Sequence, residues 1–549
     1  MISHTLLSVI LLILTIVGYR YSFPYPFKEY LTLFIPLFAF GFIPNLLWRR
    51  WGRIFTIIGA LSLVRFGSYS NALVTYPDWT TLHPLFWGAI SGILVREILL
   101  KIYGHDKFKA GMSDKDPYLR RIALNSPAGE KDSYWKEPEV WFVFFVSILV
   151  LERFLEYHPW NWTNGITLTE GFYFKGLSYR SAFGLTWMLW DSIIPVTWYI
   201  FTEERTSKNN DNPSRIWLIG LSIVFVIQAV IILIQTSLSP NFMMQNTNLS
   251  LISGRVAGLF RDSGSASWIF PVLGLFLAWK VREKKGVWRE PTRVTILSLI
   301  LVVVFCSGFK LGKTFWLTYS GGLYVLIGLY IIQKIQYPKL WIAYTFRTIA
   351  MLMILAATFT LVWFGENQKL SPSFQKTSLE LKQLVRGESI RTVESYRYDL
   401  TKASVDLFTS HPYFGSGFGS MIVHLKDPKS LVKVKPKDQF VDSPANFYLG
   451  WLGETGMLGM ILLCFYLGLN YYIRDNIKYS ILLILPLMTG YQIVHPDGGA
   501  FLMMMVLATR VSDNAKVKLK VYADKAKMIW AIIAIGISLH YLALMLIDK

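Results

Sequence analysis

Recognition of a phosphate needs fixed positive charge and a backbone able to come close, and three stretches of this chain supply both. The first is SGRVAGLFRDSG (253–264), which carries Arg255 and Arg261. The second is SGFKLGKT (307–314), with Lys310 and Lys313, and the third is HPYFGSGFGS (411–420), preceded by Arg386, Arg391 and Arg397. Lys310 and Lys313 are three apart and would share a helix face. Arg255 and Arg261 lie about 240° apart around an ideal helix, so they converge on one ligand only if the chain breaks near Gly258. In the third stretch the alternate glycines Gly415, Gly417 and Gly419 allow backbone amides to approach an anion. The plainer alternative there is a helix stop followed by a loop, since Gly and Pro punctuate loops generally. Each basic pair taken alone also fits snorkelling to a membrane interface. Together they suit a phosphate-bearing lipid headgroup.

Acid–base chemistry has few candidates. The chain returns to an apolar run through DSPANFYLGWLGETGMLG (442–459), where Gly450, Gly453, Gly456 and Gly459 recur every third residue and permit close helix packing. Glu454 lies within that run. An intramembrane carboxylate costs up to about 2.5–3.5 kcal/mol and needs a partner or a water-filled cavity, so Glu454 reads equally as a structural pair or as a working group. His411 is the next candidate, ahead of His424 and Asp442. Cys306 and Cys464 both sit in apolar runs, so neither a disulfide framework nor a metal-ligand cluster can be read from cysteine. No GxxxxGK[ST] or HExxH motif is present, and Asp114-Lys-Asp116 is an isolated DxD in a basic loop.

These residues must be positioned by membrane helices. Of the 549 residues 53% are hydrophobic and only 16% charged, which excludes a single soluble globule. About fifteen apolar runs are long enough to consider as spans, at 5–19, 30–48, 54–75, 83–103, 138–156, 181–202, 216–236, 265–279, 294–309, 314–333, 348–365, 445–472, 479–494, 498–510 and 528–546. The last short run and its predecessor could instead form a re-entrant pair. The fold class is therefore all-α and polytopic, with about 12–15 transmembrane helices. Four regions follow: N-terminal helices over 1–236, helices with basic outer-face motifs over 237–365, a large outer loop over 366–444 and C-terminal helices over 445–549.

The net charge of +20 would suggest nucleic acid in a soluble protein, but here it first sets topology. Segments inside, such as 49–53, 104–136 and 203–215, hold about 30 Lys and Arg against about 8 in the short outer loops, which puts the N-terminus in the cytoplasm. The outer loop 366–444 is too long for that rule and holds about 12 more. Within it Val393, Tyr396, Leu400, Ala403 and Leu407 recur at spacings of 3 and 4, one face of a helix that lies on the membrane or covers a cavity. Arg397 and Lys402 fall off that stripe.

The order SGRVAGLF, SGFKLGKT, a large outer loop with HPYFGSGFGS, then NFYLGWLGETGMLG resembles the bacterial O-antigen ligase and O-antigen polymerase superfamily, over about 250–472. The resemblance implies transfer of a saccharide from an undecaprenyl diphosphate carrier to a glycan or lipid A core hydroxyl. It further implies a site on the periplasmic side of the bacterial inner membrane, without metal, nucleotide or other cofactor and without nucleic acid as a partner. It places the carrier diphosphate on Arg255 and on Lys310 or Lys313, with Arg391 and Arg397 in a stretch where the family carries basic residues. Asn446 and the pair Gly456 and Gly459 fit a family spacing, but the family's proposed catalytic His is here Ala445. The alternatives are a polysaccharide or solute transporter, or a relative whose chemistry has changed. Deep charges such as Arg65, Arg96, Glu97, Glu152, Arg153 and Asp191 favour interhelical structural pairs over a proton relay.

Overall fold

The computed structural model describes residues 2–22, 27–62, 83–102, 140, 142–149, 193–203, 213–238, 255–260, 263–283, 291–312, 314–324, 372–388, 395–426 and 446–473, with isolated positions at 206, 242, 345, 349, 352, 353, 356, 360 and 501. The architecture is all-helical. In chain order the helices are α1 (Ile2–Ser22), α2 (Phe27–Leu47), α3 (Arg49–Ser62), α4 (His83–Ile102), α5 (Pro213–Ser237), α6 (Ser263–Glu283), α7 (Pro291–Ser307), α8 (Pro372–Val385), α9 (Ser395–Ser410), α10 (Ser420–Lys426) and α11 (Phe447–Ile473). Further helical stretches cover 142–149, 193–203 and 314–324. Among the described residues four segments are long and apolar enough to cross a membrane: His83–Leu100, Arg215–Ser237, Ser263–Val281 and Phe447–Cys464. The chain is thus a multi-pass membrane protein. The runs expected at 479–494, 498–510 and 528–546 lie outside the described residues, apart from the single position 501.

Close packing follows from where side chains are missing. A Cβ added at Gly88 of α4 would strike the Phe38 carbonyl of α2, so these two helices meet backbone to backbone, the contact that small residues permit in membranes. At the other side of the bundle, α3 and α5 run in the same direction. Gly220 near the start of α5 faces Ile57, and Gln228 further along donates to the Leu61 carbonyl at 2.7 Å. The Arg49 end of α3 therefore lies at the Arg215 end of α5, and Leu61 points the bundle toward the opposite end.

One expectation is corrected here. The segments 49–53 and 203–215 read as inside segments between spans, the second of them a solvated loop, yet Arg53 and Glu203 form a buried ion pair at 2.6 Å with side chains 0% and 3% exposed. Arg53 Nε also donates to the same carboxylate oxygen at 2.7 Å. Opposite charges on two helices can enter a protein interior together where neither could alone. Periodicity in either segment carries no trace of a partner some 150 residues away.

Candidate functional site

The site begins with two glutamines inside α5. Gln228 and Gln235 are fully buried, and seven residues apart they share one helix face. Gln235 Oε1 accepts from the Gly258 amide at 2.8 Å and the Ala257 amide at 3.3 Å, while its Nε2 donates to the Phe242 carbonyl at 2.8 Å. Gln228 Oε1 accepts from the Leu259 amide at 2.8 Å. Together they satisfy the backbone of 255–260, a non-helical stretch that buries Val256, Ala257, Gly258, Leu259 and Phe260. Buried amides demand partners, and side-chain amides supply them here. Gly258 adopts φ +61°, and a side chain there would collide with Gln228. The chain does break at Gly258, as convergence of this motif on a ligand requires.

The second basic motif joins the first. A short 3-10 turn, Gly308–Lys310, ends α7, and the Val256 amide donates to the Lys310 carbonyl at 3.1 Å. The Gly312 amide donates to Ser267 Oγ of α6 at 2.8 Å. A Cβ at Gly312 would lie 3.9 Å from Arg255 Cζ, so the guanidinium passes over this glycine. Arg255 and the 308–312 turn thus form one wall.

The outer loop supplies the other wall. Phe374 of α8 wedges between Phe309 and Trp316, with ring centroids at 5.5 Å and 5.4 Å. That wedge fixes α8 against the 308–312 turn, and Glu380 of α8 and Arg397 of α9 both lie within electrostatic range of Arg255. The Arg255 guanidinium is held below its ordinary value, first by burial and then by the like charge of Arg397, with Glu380 acting in the opposite sense. Lys376 approaches Glu380 at 3.9 Å but is 68% exposed, so solvent screens most of that attraction.

α9 carries the stripe expected from its sequence. Leu400, Ala403 and Leu407 are buried and Lys402 is exposed. The stripe faces α11 and not lipid alone: a Cβ at Gly453 would stand 2.9 Å from the Ser404 carbonyl and 3.6 Å from Leu407. Further on, the Met457 and Leu458 amides donate to the Pro412 and Tyr413 carbonyls at 2.9 and 3.1 Å. The two helices therefore run in the same direction, and this register sets Asn446 level with the Arg397 end of α9. Asn446 caps α11, its Oδ1 accepting from the Leu449 amide at 3.2 Å, the role of an N-cap residue.

α11 is not one continuous helix, and the even glycine spacing gave no hint of this. Gly456 takes φ 68° and ψ −171° and breaks it. The HPYFGSGFG loop fills the break. The Ser416 and Gly417 amides donate to the Gly453 and Glu454 carbonyls at 3.2 and 2.8 Å, and the Gly415 amide turns back to His411 at 3.0 Å. A Cβ on Gly415 or on Gly456 would drive into the backbone of the other segment. Consequently the amides of Ser416 and Gly417 serve the broken helix and that of Gly415 closes its own loop, so these three are not a cradle for an anion. Gly459 packs on Thr455 across the break, and Trp451 Nε1 donates to the Gly459 carbonyl at 3.2 Å.

The expected residues thus fall into two groups. Arg255 and Arg397 come within electrostatic range of each other from separate segments, and the Lys310 backbone carbonyl holds the 308–312 turn to the Arg255 stretch. His411, Glu454 and the glycines gather at the helix break. Fourteen residues of helical rise separate His411 from Arg397, about 21 Å. Glu454 is fully buried. Arg261, Lys313 and Arg391 lie outside the described residues. Sequence reasoning overlooked Glu380, which nothing in its local pattern distinguishes. It also overlooked Gln228 and Gln235, although two amides on one face of an otherwise apolar span were a legible signal. The chain matches no protein-family model and no curated protein.

Proposed function

We propose that this protein transfers or polymerises a saccharide, taking it from an undecaprenyl diphosphate carrier to a glycan or lipid acceptor hydroxyl at the periplasmic face of a bacterial inner membrane. One observation carries the reading: Arg255 and Arg397, on separate segments, share a half-buried position at one end of an apolar bundle, over the 308–312 turn. Two guanidiniums against Glu380 leave a positive excess there, suited to a diphosphate whose polyprenyl tail remains in lipid.

In the proposed reaction the acceptor oxygen attacks the anomeric carbon while the bond from that carbon to the diphosphate oxygen breaks. The diphosphate leaves with the electron pair, and the acceptor proton passes to a base. Arg255, Lys310 and Arg397 neutralise charge on the leaving group, usually the largest contribution to such catalysis. A base adds about 10²–10⁴-fold. In this reading Glu380, which acts on Arg255, is the carboxylate for that proton. His411, just past the end of α9, stands too far from Arg397 to touch the same reacting atoms, and Glu454 lies with it at the break in α11, where its carbonyl receives the Gly417 amide. The break at Gly456 also counts against a transporter reading, because its backbone groups are taken by residues 412–417.

The test is glycan transfer in membranes supplied with lipid-linked saccharide. R255Q is expected to abolish transfer while protein level in the membrane stays unchanged. Transfer by R255Q within twofold of the parent would overturn the reading, as would solute movement across sealed vesicles by purified protein that transfers no glycan.

A further inference from the structure

The end of the bundle opposite Arg255 holds a second cationic cluster, which the proposed transfer leaves unused. There α2 and α3 meet in a corner with one non-helical residue, Trp48. Trp48 donates its amide to the Pro44 carbonyl at 2.8 Å and accepts from the Gly52 amide at 2.6 Å. The Asn45 side chain braces the corner, donating to the Gly41 carbonyl at 2.8 Å and to Thr56 Oγ1 at 3.0 Å. This rigid turn presents Trp48, Arg49, Arg50 and Trp51 in succession.

Their exposures divide them. Arg49 is only 8% exposed, whereas Trp48 and Trp51 are 54% and 56% exposed, and Arg50 is exposed between them. Buried Arg49 Nη2 has no hydrogen-bond partner among the described residues. The neighbouring acid is Glu203, already paired with Arg53, and Tyr199 lies within electrostatic range of all three. Among the described residues one carboxylate, Glu203, faces the buried guanidiniums of Arg49 and Arg53, an excess of positive charge that favours an anion at this corner. Two exposed indoles beside that charge are of the type that settles at the headgroup level of a bilayer, on the side where Lys and Arg are concentrated.

We propose that this corner binds an anionic phospholipid, its headgroup phosphate held by Arg49 and Arg50 and its glycerol and upper acyl region lying against Trp48 and Trp51. A basic pocket between helices at the cytoplasmic end of a membrane protein has the chemistry for such a headgroup. The lipid completes the charge balance of the α2–α3 corner and anchors that end of the bundle.

The full-length protein in detergent, mixed with phosphatidylglycerol or phosphatidylcholine and examined by native mass spectrometry, tests this. Phosphatidylglycerol should be retained in preference to phosphatidylcholine. R49Q and R50Q should each reduce the phosphatidylglycerol-bound fraction about fivefold, the effect of one basic contact near a membrane surface, while R49K retains most of it. R50Q alters an exposed residue and so reports on binding even if R49Q impairs folding. Equal retention of the two lipids, or parental retention by both glutamine variants, would overturn the proposal. Thermal stabilisation by inorganic phosphate equal to that by phosphatidylglycerol would overturn it as well, marking a small-anion site in place of a lipid site.

Discussion

Replacing Gln235 by leucine keeps its size and removes its polar atoms. In the parent protein this side chain accepts from the Gly258 amide and donates to the Phe242 carbonyl, both at 2.8 Å, with longer contacts to Ala257 and Gly258. Without it, at least one buried amide and one buried carbonyl lose their partners. Each such group costs about 1–3 kcal/mol. The two 2.8 Å bonds alone therefore predict a loss of about 2–6 kcal/mol in holding 255–260 against α5. Hydrogen–deuterium exchange reads that quantity directly. Protection of the Gly258 amide should fall by at least about thirtyfold, and by up to about twenty-thousandfold, since 1.4 kcal/mol corresponds to a factor of ten. Exchange in α2 and α4, which pack elsewhere, should not change. Q235E separates the two halves of the interaction, because it keeps an acceptor for the amides and loses the donor. If Q235L left Gly258 protection within threefold of the parent, the claim that α5 builds the Arg255 wall would fail.

Further predictions concern other parts of the chain. Gly456→Ala places a Cβ against the Tyr413 carbonyl at a positive-φ position and should destabilise the protein by at least about 2 kcal/mol; a thermal midpoint equal to the parent's would refute the interlock. Glu203→Gln strands Arg53 in the interior and should cost about 3–5 kcal/mol, most of it recovered when Arg53 is also replaced by methionine, as a double-mutant cycle would measure. Burial and Arg397 lower the proton affinity of Arg255, yet arginine keeps its proton at all usable pH, so this group gives the parent no alkaline loss of transfer. Lysine at 255 would start from about 10.4 and be pushed down by the same surroundings. Its charged form is the one below that lowered value, so R255K transfer should decline as pH rises through it. Superimposed pH–rate profiles of R255K and the parent would count against the assignment. The saccharide profile of a deletion strain separates the two transfer chemistries: core bearing one repeat unit for a polymerase, accumulated carrier-linked polymer for a ligase.

What could be read from the sequence was local or compositional. The 3-and-4 spacing from Leu400 to Leu407 marks α9 because a helix has 3.6 residues per turn, and the same stripe is buried. Asn446 stands before an apolar run, where a cap belongs. The glycines in the two basic motifs mark close approaches, Gly258 to the Gln228 side chain and Gly312 to the Arg255 guanidinium. Other features depend on partners distant in sequence. Gly456 looks like the other members of an evenly spaced glycine set, and only the approach of residues 412–417 turns it into a break. Arg53 and Glu203 resemble loop charges until two helices bring them together. Glu380 has nothing in its neighbourhood to mark it, since its position beside Arg255 comes from the Phe374 wedge.

The central claim is that Arg255 and Arg397 together hold a lipid-linked diphosphate. Its most direct test is the affinity of the purified full-length protein for undecaprenyl diphosphate in detergent, compared with R255Q and R397Q. Each hydrogen bond to a charged group contributes about 1.5–3 kcal/mol, so each variant should bind about tenfold to a hundredfold more weakly. Affinities within twofold of the parent for both variants would contradict the account.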